Sequence, residues 1–207
     1  MTAAEIIAIL EEKFGTRVKA KKPDAIDPYI VVEPGDLFEA CRFLRDDARL
    51  RFELLNCISG VDYLEPDPKK VPKAGFDPHL EVVYHFSSFT HRHRFVVKVL
   101  LPRWKDNKPG ELPELPSLTS LWQGADWHER EVYDLSGVWF TGHPELRRIL
   151  LSEDWIGHPL RKDWVDPDFY NGLHVKPTPQ MAERSMAGEK IGVGPFDFTP
   201  PNRHVED

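Results

Sequence analysis

Cysteine is nearly absent: Cys41 and Cys57 are the full complement of a 207-residue chain. They lie far apart and form no CxxC, which points to two buried thiols in a reducing cytoplasm. No apolar run approaches the ~18–20 residues of a membrane span. No basic region followed by an apolar stretch opens the chain, so a secretory signal is not expected. Any membrane link should then run through partners. An excess of positive charge is lacking too: the formal charge of −7 argues against nonspecific nucleic-acid binding. There is no nucleophile elbow, glycine-rich phosphate loop, cofactor fingerprint or internal repeat.

What is present suits one domain and a tail. About 150 residues can bury most of their apolar surface without a disulfide or metal staple. Thr2 and Glu5 have capping-box spacing before the apolar stripe Ile6, Ile9, Leu10, so a helix is expected over residues 2–14, closed by Gly15. Strands are expected near 17–21 and 29–32, with a second helix from Pro34 to about Asp46. Phe52–Leu64 is apolar and β-capable, with Asp62 near its end as a local hydrogen bonder. Residues 65–78 read as a loop. Alternation of Val82, Tyr84 and Phe86, then of Phe95, Val97 and Val99, predicts a hairpin over 79–101. Residues 102–116 read as a second loop.

From Leu118 the positions Leu118, Leu121, Trp122 and Ala125 make a core stripe that continues through Glu129, Val132 and Ser136. That stripe fits one helix from Leu118 to Leu135, ended by Gly137, unless Gly124 kinks it and rotates the register. The expected order is α-β-β-α-β-β-β-α. That is an α+β fold: a small, mostly antiparallel sheet with helices packed on one face. The domain is read as residues 1–166. Residues 167–207 are read as an extended proline-rich tail, anchored by Phe196 and Phe198. Such a tail is either solvated or laid along a partner with those phenylalanines as plugs.

The densest stretch is 126–163, with charges, tryptophans and two triplets, Gly142-His143-Pro144 and Gly157-His158-Pro159. Glu129 on the core line needs a cation or a cluster of N–H donors. Arg130 and Asp134 are spaced to pair along the helix. Val138-Trp139-Phe140 follows as an apolar trio. A metal site built from His91, His93, His143 and His158 lacks any known ligand spacing. A histidine before proline more often holds a backbone carbonyl in a turn. Glu129, Glu131, Asp134 and a histidine could in principle do acid–base work, but nothing supplies the rest of an active site. Arginine, tryptophan and tyrosine on stiff turns suit docking best, because such residues dominate binding hot spots and fixed turns lose less entropy.

This stretch resembles the C subunit of bacterial NADH-quinone oxidoreductase, the respiratory complex I component whose mitochondrial counterpart is the thirty-kilodalton subunit. The resemblance rests on Glu129-Arg130-Glu131-Val132-Tyr133-Asp134-Leu135, Gly137-Val138, Phe140, Gly142-His143-Pro144, Leu146-Arg147-Arg148-Ile149-Leu150 and Gly157-His158-Pro159-Leu160-Arg161-Lys162-Asp163. It continues more loosely upstream and covers roughly residues 5–165. It implies a peripheral-arm subunit on the cytoplasmic side of the membrane that carries neither FMN nor iron–sulfur cluster, these being on partner subunits. Two separated cysteines agree with that, since a cluster needs four thiolates. The implied neighbours are the quinone-site D subunit and the cluster-bearing B subunit. The whole complex passes electrons from NADH to quinone and translocates protons; this chain would be its scaffold, with no catalytic, cofactor or metal ligand of its own. Hydrogenase relatives share part of the pattern. The nearest alternative is thus the matching subunit of a membrane-bound hydrogenase or ferredoxin-dependent complex. A freestanding metal- or carboxylate-dependent enzyme is the alternative of a different class.

The family usually has an aromatic after its Asp-Leu pair, where this chain has Ser136. Trp139 is expected to fill the space, so that Trp139→Ala would cost several kcal/mol. The tail would run along a partner subunit.

Overall fold

A computed structural model describes residues 1–174. Helix α1 (Ala3–Phe14) starts where the capping box places it. The Thr2 hydroxyl accepts from the Glu5 amide at 3.3 Å, and the Glu5 carboxylate accepts from the Thr2 amide at 2.8 Å. Ile6, Ile7, Leu10 and Phe14 are buried, and Gly15 ends the helix at a φ of 54°. Strands β1 (Val18–Lys22) and β2 (Tyr29–Val32) follow. A one-turn 3-10 helix at Pro34–Asp36 leads into α2 (Leu37–Asp46), which buries Leu37, Ala40, Cys41 and Leu44.

Strands β3 (Leu54–Tyr63), β4 (His79–Ser88) and β5 (His93–Leu101) complete a five-stranded sheet of order β1-β2-β5-β4-β3. All pairs are antiparallel except β2 with β5. The inward alternation of β4 and β5 holds: Val82, Tyr84 and Phe86 face Val99, Val97 and Phe95, and all six are buried. With Phe52 and Trp122 they centre the core, and the Trp122 indole donates to the Phe52 carbonyl at 3.1 Å. The fold is thus the expected α+β arrangement. Cys41 is fully buried, whereas Cys57 is half-buried beside Ser59.

Two local expectations are corrected. Residues 102–116 are not all loop: β6 (Glu114–Pro116) pairs in parallel with β7 (Trp139–Thr141), residues too distant in sequence for any local signal. The helix expected from Leu118 begins only at Ala125, as α3 (Ala125–Ser136). Residues before it form hydrogen-bonded turns, with Leu121 and Trp122 amides donating to the Leu118 carbonyl. In one straight helix, Leu118 and Glu129 would stand roughly 16 Å apart along the axis. Instead the Glu129 carboxylate accepts from the Leu118 amide at 2.6 Å, so the chain must fold back. The core stripe survives the break: Leu118, Trp122, Ala125, Glu129, Val132 and Ser136 are all buried.

The chain divides into a unit of Met1–Trp164 and a second unit that begins at Val165. The described part of the second holds a short antiparallel pair, β8 (Phe169–Tyr170) and β9 (Leu173–His174). Phe196 and Phe198, with most of the tail read over 167–207, lie outside the described residues.

Candidate functional site

Helix α3 is the axis of the 126–163 stretch. Glu129 is fully buried and takes the Ser117 hydroxyl at 2.7 Å together with the Leu118 amide. Burial pushes its carboxyl up to about 7; the Leu118 amide and Ser117 hydroxyl work against this, and Asp126 adds repulsion. The donors are therefore neutral N–H and O–H groups rather than a cation. Tyr84 lies in the same part of the core, its phenol raised by burial and by Glu129, and its buried hydroxyl has no hydrogen-bond partner among the described residues.

The expected Arg130–Asp134 pair does not form. Arg130 turns back over the Trp127 ring, 4.9 Å from its centroid, and its Nε donates to the Arg147 carbonyl at 3.3 Å. Asp134 is claimed by a stronger set. Its Oδ2 accepts the amides of Ile149, Leu150 and Leu151 at 3.0, 2.8 and 3.0 Å, and its Oδ1 accepts from Arg148 at 2.8 Å. Burial would raise this carboxyl, but the three amides and Arg148 outweigh it and hold it below its ordinary value. Three backbone donors in fixed positions beat one flexible side chain four residues away.

Both Gly-His-Pro triplets are turns, with Gly142 and Gly157 each at a φ of 80°. The His143 Nδ1 accepts from the Glu145 amide at 3.0 Å, which leaves Nε2 to donate to the Asp126 carbonyl at 3.2 Å. The His158 Nδ1 donates to the Asp134 carbonyl at 2.9 Å. Burial, then Arg148 and Arg161, holds the His158 ring below its ordinary pKa and so neutral. The histidines tie each turn to α3 through helix carbonyls. Gly137 ends α3 at a φ of 71°, and a Cβ there would stand 2.5 Å from the His158 ring. Glycine is required at this position for both reasons.

Arg161 closes the arrangement from inside. It is buried and donates to the carbonyls of Ser136, Gly137 and Arg103 at 2.9, 2.9 and 2.7 Å, with its guanidinium 3.8 Å from the Trp104 ring centre. Burial, then the nearby Arg103 charge, lowers its pKa to about 10, so it remains a cation at neutral pH. Beside it Arg103 holds Asp62 in a bidentate pair at 2.7 and 2.8 Å and also binds Asp163, and Asp62 accepts the Lys162 amide at 2.8 Å. The strand-end acid Asp62 is therefore not the local hydrogen bonder expected: its partners are the Arg103 guanidinium and the Lys162 amide, 41 and 100 residues away in sequence. Nothing in the spacing around Arg103 or Trp104 announced either residue.

These positions change the reading of the arginines. Arg148 and Arg161 do not point outward: both are spent on internal carbonyls and, for Arg148, on Asp134. The carbonyls of Asp134, Ser136 and Gly137 among their partners lie at the end of α3, where the helix supplies them no amide donor. Arg147 is the exposed one, paired with Glu145 at 2.8 Å. Glu131, Pro144, Leu160, Lys162 and Asp163 are also exposed, while Tyr133 and Pro159 are half-buried. Tyr133 packs edge-on against Trp139.

Trp139 does not fill the space beside Ser136. It is 42% exposed, because Val138 and Phe140 take the inward positions. The space is closed by the backbone of β3: a Cβ on Gly60 would stand 2.6 Å from the Ser136 hydroxyl and 2.8 Å from its Cβ. Small residues on both sides let α3 lie directly on the strand.

Glu129, Glu131 and Asp134 are not brought together. Glu129 enters the core, Glu131 faces outward and Asp134 is locked by Arg148 and three amides. Among the described residues, no three histidine, cysteine, aspartate or glutamate side chains are grouped to hold a metal ion. Nor is any helix there long and apolar enough to cross a membrane.

Residues 30–169 match the family described as the respiratory-chain NADH dehydrogenase 30 Kd subunit. The chain is 46% identical over 155 residues to the NADH-quinone oxidoreductase C subunit of a Roseiflexus species, covering 71% of this chain and 79% of that one. It is 41% identical over 169 residues to the C subunit of Chloroherpeton thalassium, covering 81% of this chain but only 62% of the longer relative. With the C subunit of Ralstonia pickettii it shares 36% identity over 197 residues, 95% of this chain and 91% of the relative. The matched span of residues 30–169 takes in β3, β4 and β5, α3, both Gly-His-Pro turns and the Asp62–Arg103 and Arg161 contacts, and on that ground the chain belongs to the family of the respiratory-chain NADH dehydrogenase 30 Kd subunit.

Proposed function

We propose that this chain is a cofactor-free scaffold subunit in the peripheral arm of a proton-translocating NADH:quinone oxidoreductase. It sits on the cytoplasmic side of the membrane and packs against the quinone-site D subunit and the cluster-bearing B subunit. FMN and the iron–sulfur clusters belong to other subunits, and no residue here enters the chemistry. The carrying observation is the match, over most of the chain, to relatives named as the C subunit of NADH-quinone oxidoreductase. The physics supports a scaffold: the two Gly-His-Pro turns are fixed to α3 by histidine-to-carbonyl bonds and by the Asp134 cradle, so their outer residues are presented with little entropy left to lose on association. Arg147, Leu160 and Lys162 are on that outer side.

The test is recovery of the tagged full chain from detergent-solubilised membranes. Co-purification of flavin, iron and NADH:quinone reductase activity is the expected result. A nickel-bearing subunit in their place would assign the chain to a hydrogenase-type complex. Recovery of the chain alone, with stoichiometric metal, would overturn the scaffold reading in favour of a freestanding enzyme.

A further inference from the structure

The turn between β4 and β5 lies outside the family's densest motif, yet it is held unusually firmly. The Glu53 carboxylate accepts the Phe89 amide at 2.9 Å and the Thr90 hydroxyl. The Ser88 hydroxyl accepts the His91 amide at 3.1 Å. The His91 and His93 rings reach the carbonyls of Ala48 and Leu50 at 3.0 and 2.8 Å. All this fixes a turn whose phenylalanine, Phe89, is 70% exposed. An aromatic ring held in water contributes little to folding, whereas a rigid exposed aromatic is what a binding hot spot requires.

Two further observations fall at the same end of the sheet. Arg51 and Arg92 adopt φ values of 42° and 53°, angles that glycine meets without strain and arginine does not. Arg92 and Arg94 are exposed and have no carboxylate partner among the described residues. Both line a hollow of about 270 Å³ in which Asp27 is the one acidic lining residue. We propose that Phe89, Arg92 and Arg94 form a docking surface for a partner protein that offers an apolar recess flanked by carboxylates. The ring enters the recess and the two guanidiniums take the carboxylates, with Arg92 held in place by the braced turn. The exposed ring calls for an apolar recess and the two unpaired guanidiniums for carboxylates at fixed positions beside it, a combination that a folded protein surface presents. The proposal rests on the reading that the chain works inside an assembly.

Its test places a benzophenone amino acid at position 89 of the full chain in cells, followed by irradiation of membranes and tag purification. The expected product is an adduct with another subunit, mapped to a peptide that contains Asp or Glu. In parallel, Arg92→Gly removes the charge and the backbone strain together. It should raise the thermal midpoint of the purified chain while lowering its retention in the assembly at least about tenfold, as should Phe89→Ala. A merely structural turn would not separate those two readouts. Normal yield of the assembly with no protein adduct at 89, or full retention of Arg92→Gly, would overturn the docking surface while leaving the subunit reading intact. An adduct to lipid or nucleic acid would overturn the choice of partner. Recovery of the wild-type chain alone would sink both readings.

Discussion

Glu129→Gln tests the physics of the core carboxyl directly. In the folded chain this group is raised from an ordinary 4.5 to about 7 by burial, a difference worth about 3 kcal/mol between its protonated and ionised forms. The sign follows from linkage: the folded state binds this proton more tightly than the unfolded state. Wild-type stability contributed by Glu129 is therefore complete below pH ~4.5, falls as pH rises toward about 7 and levels off above it. Glutamine keeps the shape: its carbonyl can accept the Leu118 amide, and the Ser117 hydroxyl, already within 2.9 Å of the Thr119 hydroxyl, can rotate to accept from the new NH₂. Other titrating groups, such as His93 and His158 with their lowered values, are common to both proteins and cancel in the difference. Urea denaturation of both proteins at pH 5.0, 6.0, 7.0 and 8.0 gives that difference. The variant should gain about 2–3 kcal/mol on wild type between pH 5.0 and 8.0; an imperfect glutamine hydrogen bond would offset the two proteins equally at every pH and leave this gain unchanged. A difference constant to within ~0.5 kcal/mol across that range would refute the raised carboxyl.

Gly60→Ala should cost about 1–3 kcal/mol, because its Cβ meets Ser136 at 2.6 Å; if the double variant with Ser136→Gly is no better in denaturant, the contact is not the cause. Gly137→Ala combines a left-handed φ with a Cβ 2.5 Å from the His158 ring and should cost about 2 kcal/mol or more, read from the urea midpoint. Asp134→Asn leaves Arg148 without its carboxylate and should cost about 3 kcal/mol at pH 7. Because the Asp134 carboxyl is lowered, that cost should shrink as pH falls from its unfolded value near 3.8 through the folded one; a cost independent of pH down to unfolding would contradict the pairing. Trp139→Ala should change stability by no more than ~1 kcal/mol, since the ring is largely outside; a loss of several kcal/mol would restore the core role first expected of it.

Legibility followed the range of the interaction. The capping box of Thr2 and Glu5, the α2 stripe and the β4–β5 alternation are local patterns whose period reports the element directly, and all three stand in the structure. Glu129 on a core line was legible for the same reason. Partner choice was not. The spacing of Arg130 and Asp134 offers a local pair worth a few tenths of a kcal/mol, while three amides and Arg148 from residues 148–151 offer Asp134 a larger return. Gly124 offered a break before α3, but residues 118–125 carry the right stripe in either conformation, so the pattern did not decide it. The hairpin turn carries no Asn-Gly or Asp-Gly signal, and its stability comes from Glu53, far upstream.

The residues alone determined the order of elements from α1 to β5, the α+β class, the core faces of α2, β4 and β5 and, through the 129–163 motif, the family. Each of these depends on spacing within one element or on a pattern of fixed length. Only the tertiary structure decided that Arg148 and Arg161 are internal clamps, that Gly60 rather than Trp139 closes over Ser136, and that Asp62 is bound by Arg103. Those outcomes depend on which unsatisfied carbonyls, amides and carboxylates the fold brings within about 3 Å of one another, and sequence separation carries no information on that distance.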